Sequence, residues 1–285
     1  MGTRSRLAAL LLAGTFAVTA GCQSSVGEAG DDSAAAIVAG HAAGDASGVA
    51  RLYLDGRPFC DGSIIAEDWL LTAAHCVDTV GSATDLTIRT GSTDLAKGTE
   101  RGVAETIVHE GWRHGYLVND IALVRLVATA TATAVRTVKL AVCADAAKIV
   151  PSAAVTVVGW GATDASDEAT QSTILEEASA GVLDCDPFDG YQNLDQKSVV
   201  CVGEPDGSRH SCKGDSGGPL FMTSGAGSRT QIGLDSWGWS PCGAAGKPSV
   251  FTRVDRYLDW IYALTDGKAG VESCAAPLSA SGTGP

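Results

Sequence analysis

Basic residues are scarce in this chain of 285 residues, where 20 Lys and Arg stand against 33 Asp and Glu for a formal net charge of −13. A protein that binds nucleic acid needs a basic face for the phosphates, so this balance argues against a nucleic-acid partner. Patterns typical of metal sites are missing as well, because the five histidines are scattered and no two cysteines are spaced C-x-x-C. We therefore predict an acidic protein without nucleic acid, metal ion or cofactor.

Helical periodicity is scarce too, and no repeat of solenoid length is present. Only residues 254–265, "VDRYLDWIYALT", place apolar side chains at helical spacing. Elsewhere, short runs that contain Val, Ile and Thr alternate with Gly, Pro, Asp and Ser, which is typical of strands joined by turns. The sequence predicts an all-β protein with one terminal helix packed on it. The strand-like runs are "VARLYL", "GSIIAEDWLLTAA", "DLTIRTG", "AETIVHE", "DIALVRLV", "AVTVVGWG", "TILEEASAGVL", "SVVCVG", "PLFM", "QIGLDSWG" and "SVFTRV".

The N-terminal residues are typical of an export signal. Arg4 and Arg6 form a basic start, and residues 7–21, "LAALLLAGTFAVTAG", form an apolar stretch too short to span a membrane. We predict a signal peptide over 1–21 and an extracellular or cell-surface location. Residues 22–36 are small, polar and acidic, which indicates a propeptide or linker.

The end of this signal is similar to the lipobox of bacterial lipoproteins, "VTAGC", in which Cys22 would carry the lipid. Ordinary cleavage after Ala20 is the alternative. The chain has nine cysteines, and an odd number in an exported protein requires an explanation. Assigning Cys22 to lipid leaves eight cysteines for four disulfides, so the lipoprotein interpretation is favoured.

Three short islands carry residues suited to nucleophilic catalysis: "LTAAHC" with His75, "NDIALVRL" with Asp120 and "GDSGGP" with Ser216. A serine is a poor nucleophile unless a base lies within hydrogen-bond reach and an acid orients that base. "GDSGG" also fits the G-x-S-x-G motif of α/β-hydrolases, whose chain order is Ser, acid, His. Here the order is His, Asp, Ser and no helical pattern follows the serine, so the chymotrypsin-like arrangement is favoured.

With these islands in this order, the sequence resembles the trypsin/chymotrypsin family of serine endopeptidases over residues 37–265, which leaves 266–285 as a C-terminal tail. The resemblance implies two six-stranded antiparallel β-barrels with the active site in the cleft between them. His75 and Asp120 would come from the first barrel and Ser216 from the second. The matching segments are "IVAG", "LTAAHC", "NDIALVRL", "GWG", "SCKGDSGGPL", "SWG" and "KPSVFTRV".

The resemblance implies a role for each catalytic residue. Ser216 would attack the peptide carbonyl, His75 would take its proton, and Asp120 would orient the imidazole. The backbone N–H groups of Gly214 and Ser216 would bind the oxyanion. Ser236 resembles the family serine that supports the aspartate.

The resemblance also implies a zymogen. Cutting the chain before Ile37 would free an ammonium group that inserts beside Asp215, and a buried carboxylate needs such a partner. The bond to be cut follows Ala36, so an enzyme with tryptic specificity would not readily activate itself.

Substrate specificity stays open at this stage. His210 stands where trypsin-like members carry the aspartate that binds a basic P1 side chain. His210 and Lys213 would attract an acidic P1, or Asp235 would bind a basic P1 from the pocket wall, or Asp235 would pair with His210 and leave a polar pocket of broad specificity. The predicted substrate-binding residues are His210, Ser211, Lys213, Asp235, Ser236, Gly238 and Ser249.

Eight cysteines remain for disulfides. The resemblance implies the pairs Cys60–Cys76, Cys185–Cys201 and Cys212–Cys242, which leaves Cys143 and Cys274 as a fourth pair without a close family counterpart.

Ser92 replaces the first glutamate of the family's calcium loop, so a calcium site is not expected.

The expected partners are protein or peptide substrates, an activating protease and protein inhibitors, and the chain is expected to be a monomer. Membrane contact is expected only through lipid on Cys22 before activation. The alternative function is a catalytically idle, protease-like binding module. Labelling of Ser216 by an active-site phosphonate would distinguish the two.

Overall fold

The computed structural model of the chain describes residues 37, 40–114, 118–128, 136–167, 169, 171–187, 190, 194–195, 197–223 and 227–270. The predicted signal peptide, Cys22 and the predicted propeptide over 22–36 lie outside the described residues, as does Cys274 in the tail.

Strands dominate the described part of the chain, as the short β-branched runs predicted. Two of them, β1 and β8, contain only two residues each and were not visible in the sequence pattern. The strands are β1 (His41–Ala42), β2 (Val49–Leu54), β3 (Arg57–Ala66), β4 (Trp69–Thr72), β5 (Leu86–Thr90), β6 (Thr99–Val108), β7 (Ala122–Leu126), β8 (Lys139–Leu140), β9 (Ala154–Gly159), β10 (Glu176–Leu183), β11 (Val199–Gly203), β12 (Pro219–Thr223), β13 (Arg229–Trp237) and β14 (Ser249–Arg253).

The first barrel is closed by six antiparallel strands in the order β2-β3-β4-β7-β6-β5, with β5 pairing back onto β2. Alternation along the strands builds its interior, as in β5, where Leu86, Ile88 and Thr90 are buried and the residues between them are partly exposed. The second barrel runs β9-β10-β11-β14-β13-β12 and is closed by pairing of β9 with both β10 and β12. The prediction of two six-stranded antiparallel barrels is confirmed.

The two small strands extend the second barrel. β1 pairs with β10 in antiparallel fashion, and β8 lies parallel to β13. β1 therefore pairs with the second barrel, whereas β2, the next strand along the chain, belongs to the first barrel.

The terminal helix α1 covers Leu258–Leu264 and follows a 3₁₀ turn over Val254–Arg256, so the predicted helix begins later than its apolar pattern suggested. Ile261 is fully buried, and Trp260 and Leu264 pack against a core cluster that contains residues of both barrels. This packing agrees with the prediction that one apolar face of the helix rests on the barrels.

The seam between the barrels is itself a hydrophobic core. Leu71 and Ile121 from the first barrel cluster with Trp160 and Leu234 from the second, and all four are fully buried. Burial of such side chains contributes roughly 2 kcal/mol each, so the two barrels are held in a fixed relation. The candidate site lies along this seam.

Candidate active site

The positions of His75 and Asp120 follow from strand pairing. β4 and β7 are antiparallel neighbours with Thr72 opposite Ala122, so the residues after β4 and before β7 lie at the same end of the barrel. His75 Nδ1 is 2.8 Å from Asp120 Oδ2, and the His75 backbone N–H donates to Asp120 Oδ1 at 2.9 Å. These two contacts fix the orientation of the imidazole relative to the carboxylate.

The second barrel completes the surroundings of this carboxylate. Ser236 on β13 donates a hydrogen bond from Oγ to Asp120 Oδ2 at 2.6 Å, and Asp120 is fully buried. Burial by itself lowers the pKa of His75, but the hydrogen bond and negative charge of Asp120 outweigh it, so the pKa is raised. A base that holds a proton more firmly is suited to take one from a serine hydroxyl.

Ser216 lies in the loop that precedes β12, close to the imidazole. Cys76 Sγ is 3.7 Å from His75 Nε2 and 3.7 Å from the carbonyl oxygen of Ser216. Within the described residues, no hydrogen bond joins Ser216 Oγ to His75. Catalytic hydrogen bonds of this kind are often long in unliganded enzymes and tighten when substrate binds.

The nucleophile loop has a backbone conformation that requires glycine on both sides of Ser216. Gly214 has φ 101° and Gly217 has φ 77°, in the left-handed half of the map that other residues avoid. A Cβ at Gly217 would overlap Thr72 Oγ1 and would lie 2.6 Å from the Asp61 carbonyl oxygen. The loop therefore packs directly against the first barrel, with no space for a side chain.

Hydrogen bonds to the carbonyl groups fix two peptide units in this loop. Ala162 N–H donates to the Lys213 carbonyl oxygen at 2.8 Å, and Gly218 N–H donates to the Asp215 carbonyl oxygen at 2.8 Å. Because N–H and C=O point in opposite directions across a trans peptide, these bonds direct the N–H groups of Gly214 and Ser216 away from the loop's own carbonyls.

A cavity of about 230 Å³ opens beside Ser216. Every residue predicted to bind substrate lines it, together with Trp239, which the sequence reasoning missed although it directly follows the "SWG" motif. Trp239 is 43% exposed, and Lys247 Nζ lies 4.3 Å from the centroid of its ring. The predicted lining residues are His210, Ser211, Lys213, Asp235, Ser236, Gly238 and Ser249.

Two buried ionisable groups line this cavity, His210 and Asp235, and their pKa values are shifted in opposite directions. His210 is 3% exposed, its Nδ1 lies 3.5 Å from Ser249 Oγ, and its buried Nε2 has no hydrogen-bond partner in the part of the chain that the structure describes. Burial lowers the pKa of His210, so the imidazole is neutral at pH 7. Burial raises the pKa of Asp235 to about 7, against the opposing effects of a Ser211 hydrogen bond and the His75 charge. Among the described contacts, no hydrogen bond or ion pair joins His210 to Asp235.

Ile37 and Asp215 both contact residues 161–162, which follow β9 in the second barrel. Ile37 is fully buried, and its backbone nitrogen is 3.2 Å from the Ala162 carbonyl oxygen. Asp215 accepts backbone hydrogen bonds from Gly161 and Cys212, each at 2.8 Å. Burial, with the nearby charges of other carboxylates, raises the pKa of Asp215 well above its ordinary range.

Three of the predicted disulfides are formed: Cys60–Cys76 beside His75, Cys185–Cys201, and Cys212–Cys242 at the cavity. Cys143 is disulfide-bonded, but its predicted partner Cys274 lies outside the described residues, so that pairing stays a prediction. Where the chain is described, one group of three potential metal ligands occurs, formed by Cys60, His75 and Cys76. Its two sulfurs are joined to each other, so the group is not suited to hold a metal ion.

Sequence reasoning missed a buried ion pair formed by Arg51 on β2 and Asp61 on β3, in which Arg51 Nη1 lies 2.9 Å from Asp61 Oδ1. Its only signal in the sequence is a charged residue inside each of two otherwise apolar strands, in "VARLYL" and "FCDGSII".

These features define a two-barrel protein with a His-Asp pair and a serine loop facing each other across the cleft. The sequence profile of the trypsin family matches residues 37–261. The chain is 34% identical over 215 residues to trypsin from Saccharopolyspora erythraea. The alignment covers 74% of this chain and 88% of that protein. It is 32% identical over 207 residues to kallikrein-7 from Homo sapiens, and this alignment covers 71% of this chain and 76% of that protein. This chain belongs to the trypsin family of serine proteases.

The chain is also 32% identical over 218 residues to transmembrane protease serine 11G from Mus musculus, and the alignment covers 75% of this chain. The chain spans about half the length of that relative and of its counterpart in Rattus norvegicus, 51% in each case. No helix in the part of the chain that the structure describes is long and apolar enough to cross a membrane.

Proposed function

We propose that this chain is a serine endopeptidase that hydrolyses peptide bonds in proteins or peptides through an acyl-enzyme intermediate. The observation that carries the proposal is the buried Asp120 carboxylate, whose Oδ2 contacts both His75 Nδ1 and Ser236 Oγ. An acid held this firmly selects one tautomer of the imidazole, with the proton on Nδ1 and a free lone pair on Nε2.

The chemistry follows from this arrangement. Ser216 Oγ attacks the peptide carbonyl while His75 Nε2 takes its proton, and the N–H groups of Gly214 and Ser216 stabilise the oxyanion. His75 then gives the proton to the leaving amine, and water attacks the acyl-enzyme by the same route in reverse. Loss of a single oxyanion donor costs about 3 kcal/mol of barrier, so the conformation of the 214–216 loop matters greatly.

Peptide-library cleavage and phosphonate labelling test this function. The full chain, cut between Ala36 and Ile37, is expected to react with an active-site phosphonate at Ser216 and to cleave the library, whereas Ser216→Ala does neither. An intact, folded protein that is inert in both assays would instead support the catalytically idle binding module.

For the P1 side chain we propose Lys or Arg, bound by Asp235. Asp235 is 4% exposed, lines the cavity and makes no ion pair within the described residues, so a bound cation would supply the charge partner it lacks. His210 does not favour an acidic P1, because burial lowers its pKa and leaves the imidazole uncharged.

The same library distinguishes the alternatives for P1. Cleavage after Lys and Arg that is lost in Asp235→Asn but kept in His210→Ala supports Asp235 as the specificity residue. Cleavage after Asp and Glu that weakens in His210→Ala would refute it. Cleavage after many polar residues in all three proteins would indicate the pocket of broad specificity.

We also propose that the chain is a zymogen activated by cleavage before Ile37. The Ile37 nitrogen contacts Ala162, and the neighbouring Gly161 N–H binds Asp215, so a freed ammonium at Ile37 would arise beside the carboxylate that lacks a cation. Ile37 also has φ 66°, which is unusual for a β-branched residue, and cleavage of the preceding bond removes that restriction.

Activation is tested by incubating the full chain alone and then with an elastase-like protease. Because the bond follows Ala36 and we propose a basic P1, the chain alone should not mature, while the added protease should release Ile37 as a new N-terminus together with activity. Rapid self-maturation at Ala36, or full activity of the uncut chain, would contradict the proposal.

We further propose export by the signal over 1–21, with lipid on Cys22 of the proform. The catalytic domain would be released from the lipid when the chain is cut before Ile37. Incorporation of labelled palmitate by an expressing bacterium, lost in Cys22→Ser, is the expected result. An unmodified chain that begins after Ala20 would indicate an ordinary secreted protein.

A further inference from the structure

Arg51 and Asp61 form an ion pair inside the protein. They lie opposite each other on β2 and β3, both side chains are fully buried, and Nη1 and Oδ1 are 2.9 Å apart. Removal of two charges from water costs more than their attraction returns unless further hydrogen bonds satisfy the remaining polar atoms. The question is where those hydrogen bonds lead.

The remaining hydrogen bonds of the two side chains cross the seam to the second barrel. Arg51 Nη1 donates to the Gly214 carbonyl oxygen at 2.6 Å, and Arg51 Nη2 donates to Gln171 Oε1. Asp61 Oδ2 accepts the Trp160 backbone N–H at 3.0 Å. Each charged group thus bridges its partner on the first barrel and a loop of the second barrel, while the buried Arg51 Nε has no hydrogen-bond partner among the described residues.

The backbone of Asp61 adds a contact to the nucleophile itself. Asp61 N–H donates to the Ser216 carbonyl oxygen at 2.8 Å, and Thr72 Oγ1 donates to the Asp61 carbonyl oxygen at 2.7 Å. The strand that carries Asp61 is therefore fixed on one side by β4 and fixes Ser216 on the other.

Together with the contacts of the Lys213 and Asp215 carbonyls described above, four consecutive carbonyl groups from 213 to 216 have a hydrogen-bond donor. Arg51 supplies the donor for Gly214, and the Asp61 backbone supplies the donor for Ser216. The Gly214 and Ser216 N–H groups belong to the peptide units 213–214 and 215–216, whose carbonyls bind Ala162 and Gly218. Arg51 fixes the unit between these two, 214–215, and the Asp61 N–H fixes the next one, 216–217. Because adjacent peptide units rotate about a shared Cα, rotation of the 214–215 unit would require changed dihedrals at Gly214 and Asp215 and so disturb both oxyanion N–H groups.

We propose that Arg51 and Asp61 are positioning residues of the oxyanion hole, which hold the 214–216 backbone in the orientation that stabilises the transition state. The inference rests on the proposed function, because it assigns the pair a role in that reaction. Neither side chain touches substrate. The pair acts through the carbonyl of Gly214 and the Trp160 and Gln171 contacts behind it.

The test uses the full chain cut before Ile37 and the double variant Arg51→Met/Asp61→Ala, which leaves no unpaired buried charge. Arg51→Lys is a second variant that keeps the charge but lacks the planar fork needed to reach Asp61, Gly214 and Gln171 together. The matched control is Arg253→Met/Asp255→Ala, which removes another mostly buried Arg–Asp pair with the same 2.9 Å contact at the end of β14.

Two readouts separate positioning from general stability. The first is the division between kcat and KM on a peptide substrate. The second is the affinity for a peptide aldehyde, whose adduct with Ser216 carries an oxyanion, compared with the alcohol of the same peptide, which forms no adduct. A merely structural role would not change the aldehyde affinity relative to the alcohol affinity.

We expect kcat to fall by about tenfold or more in the double variant, with KM within about twofold and aldehyde affinity reduced by the same factor as kcat. Alcohol affinity should stay constant, Arg51→Lys should be intermediate, and the control pair should lower the unfolding midpoint with little effect on kcat. If the double variant does not fold, Arg51→Lys carries the same test.

Unchanged kcat and aldehyde affinity in a folded Arg51 variant would overturn the inference while the proposed function stands. Loss of kcat in the Arg253/Asp255 control to the same extent would overturn it too. An unaltered protein that neither cleaves peptides nor binds the aldehyde would overturn both the inference and the proposed function.

Discussion

Ser236 Oγ lies 2.6 Å from Asp120 Oδ2, the same carboxylate oxygen that is 2.8 Å from His75 Nδ1. Ser236 belongs to the second barrel, whereas Asp120 and His75 belong to the first. The His75–Asp120 pair is therefore held by a hydrogen bond across the seam, and its geometry depends on the packing of the two barrels.

Ser236→Ala is expected to lower kcat/KM about tenfold, because a hydrogen bond to a charged group contributes about 1.5 kcal/mol or more. The loss should appear mainly in kcat, since the aspartate acts on the base. Ser228→Ala, at an exposed serine, is the control and should leave kcat/KM unchanged. Equal activity of the two variants would show that the bond across the seam has no catalytic consequence.

Binding of benzamidine should depend on pH through Asp235. The pKa of this carboxyl is about 7, so below pH 7 it is protonated and offers no charge to the amidinium, while above pH 7 it is ionised. Affinity should therefore rise with pH, by up to about tenfold per unit, and level off above the pKa. Titration calorimetry on the cut Ser216→Ala protein measures this without dependence on catalysis.

Asp235→Asn is the matched variant for that titration, and its benzamidine affinity should be weak and independent of pH. A pH dependence that persists in Asp235→Asn would assign the titration to another group. Affinity that falls as pH rises would contradict the proposed basic P1 preference.

Two disulfides of equal sequence separation allow stability and activity to be compared. Cys60–Cys76 and Cys185–Cys201 each join residues 16 apart, so removal of either should cost about 3 kcal/mol of unfolding free energy. Only the first lies beside His75. Cys60→Ala/Cys76→Ala should therefore lose kcat/KM well beyond the loss in Cys185→Ala/Cys201→Ala, at similar thermal unfolding midpoints. Parallel losses in activity would mean that the disulfide beside His75 contributes only stability.

Gly217→Ala should abolish activity. Gly217 and Gly56 have nearly the same φ, 77° and 75°, but a Cβ at Gly56 would meet open space and one at Gly217 would collide with the first barrel. Gly56→Ala is expected to cost about 1 kcal/mol of unfolding free energy from backbone strain alone. Thermal unfolding and kcat/KM check both variants, and an active Gly217→Ala protein would refute the close packing of the nucleophile loop.

The all-β class was accessible from local patterns, and the two-barrel fold from the family resemblance that the short islands carry. Strands were visible because short β-branched runs alternate with turn residues, and the islands around His75, Asp120 and Ser216 carry enough neighbouring residues to be distinctive. The helix after β14 was predicted from its apolar face, although its first turns form a 3₁₀ segment and not an α-helix. The very short β1 and β8 contain too few residues for any periodicity.

The ionisation of the two buried groups in the cavity, His210 and Asp235, could not be predicted from the sequence. The resemblance to the trypsin/chymotrypsin family predicted that His210 and Asp235 line the pocket, but three interpretations of their charges remained open. Their ionisation depends on burial and on neighbours that only tertiary packing brings together, such as His75 near Asp235 and Ser249 near His210. Burial lowers the pKa of His210 and raises the pKa of Asp235, so neither charge could be predicted from the sequence.

Arg51 shows most clearly what the sequence by itself determined and what only the tertiary structure decided. In "VARLYL", alternation places Ala50 and Leu52 in the core of the first barrel and turns Arg51 to the opposite face, where a charged residue is normally solvated. The period of a strand defines two faces but does not say what covers the second one. Here the second barrel covers it, and the charge of Arg51 is directed at the Gly214 carbonyl of the nucleophile loop.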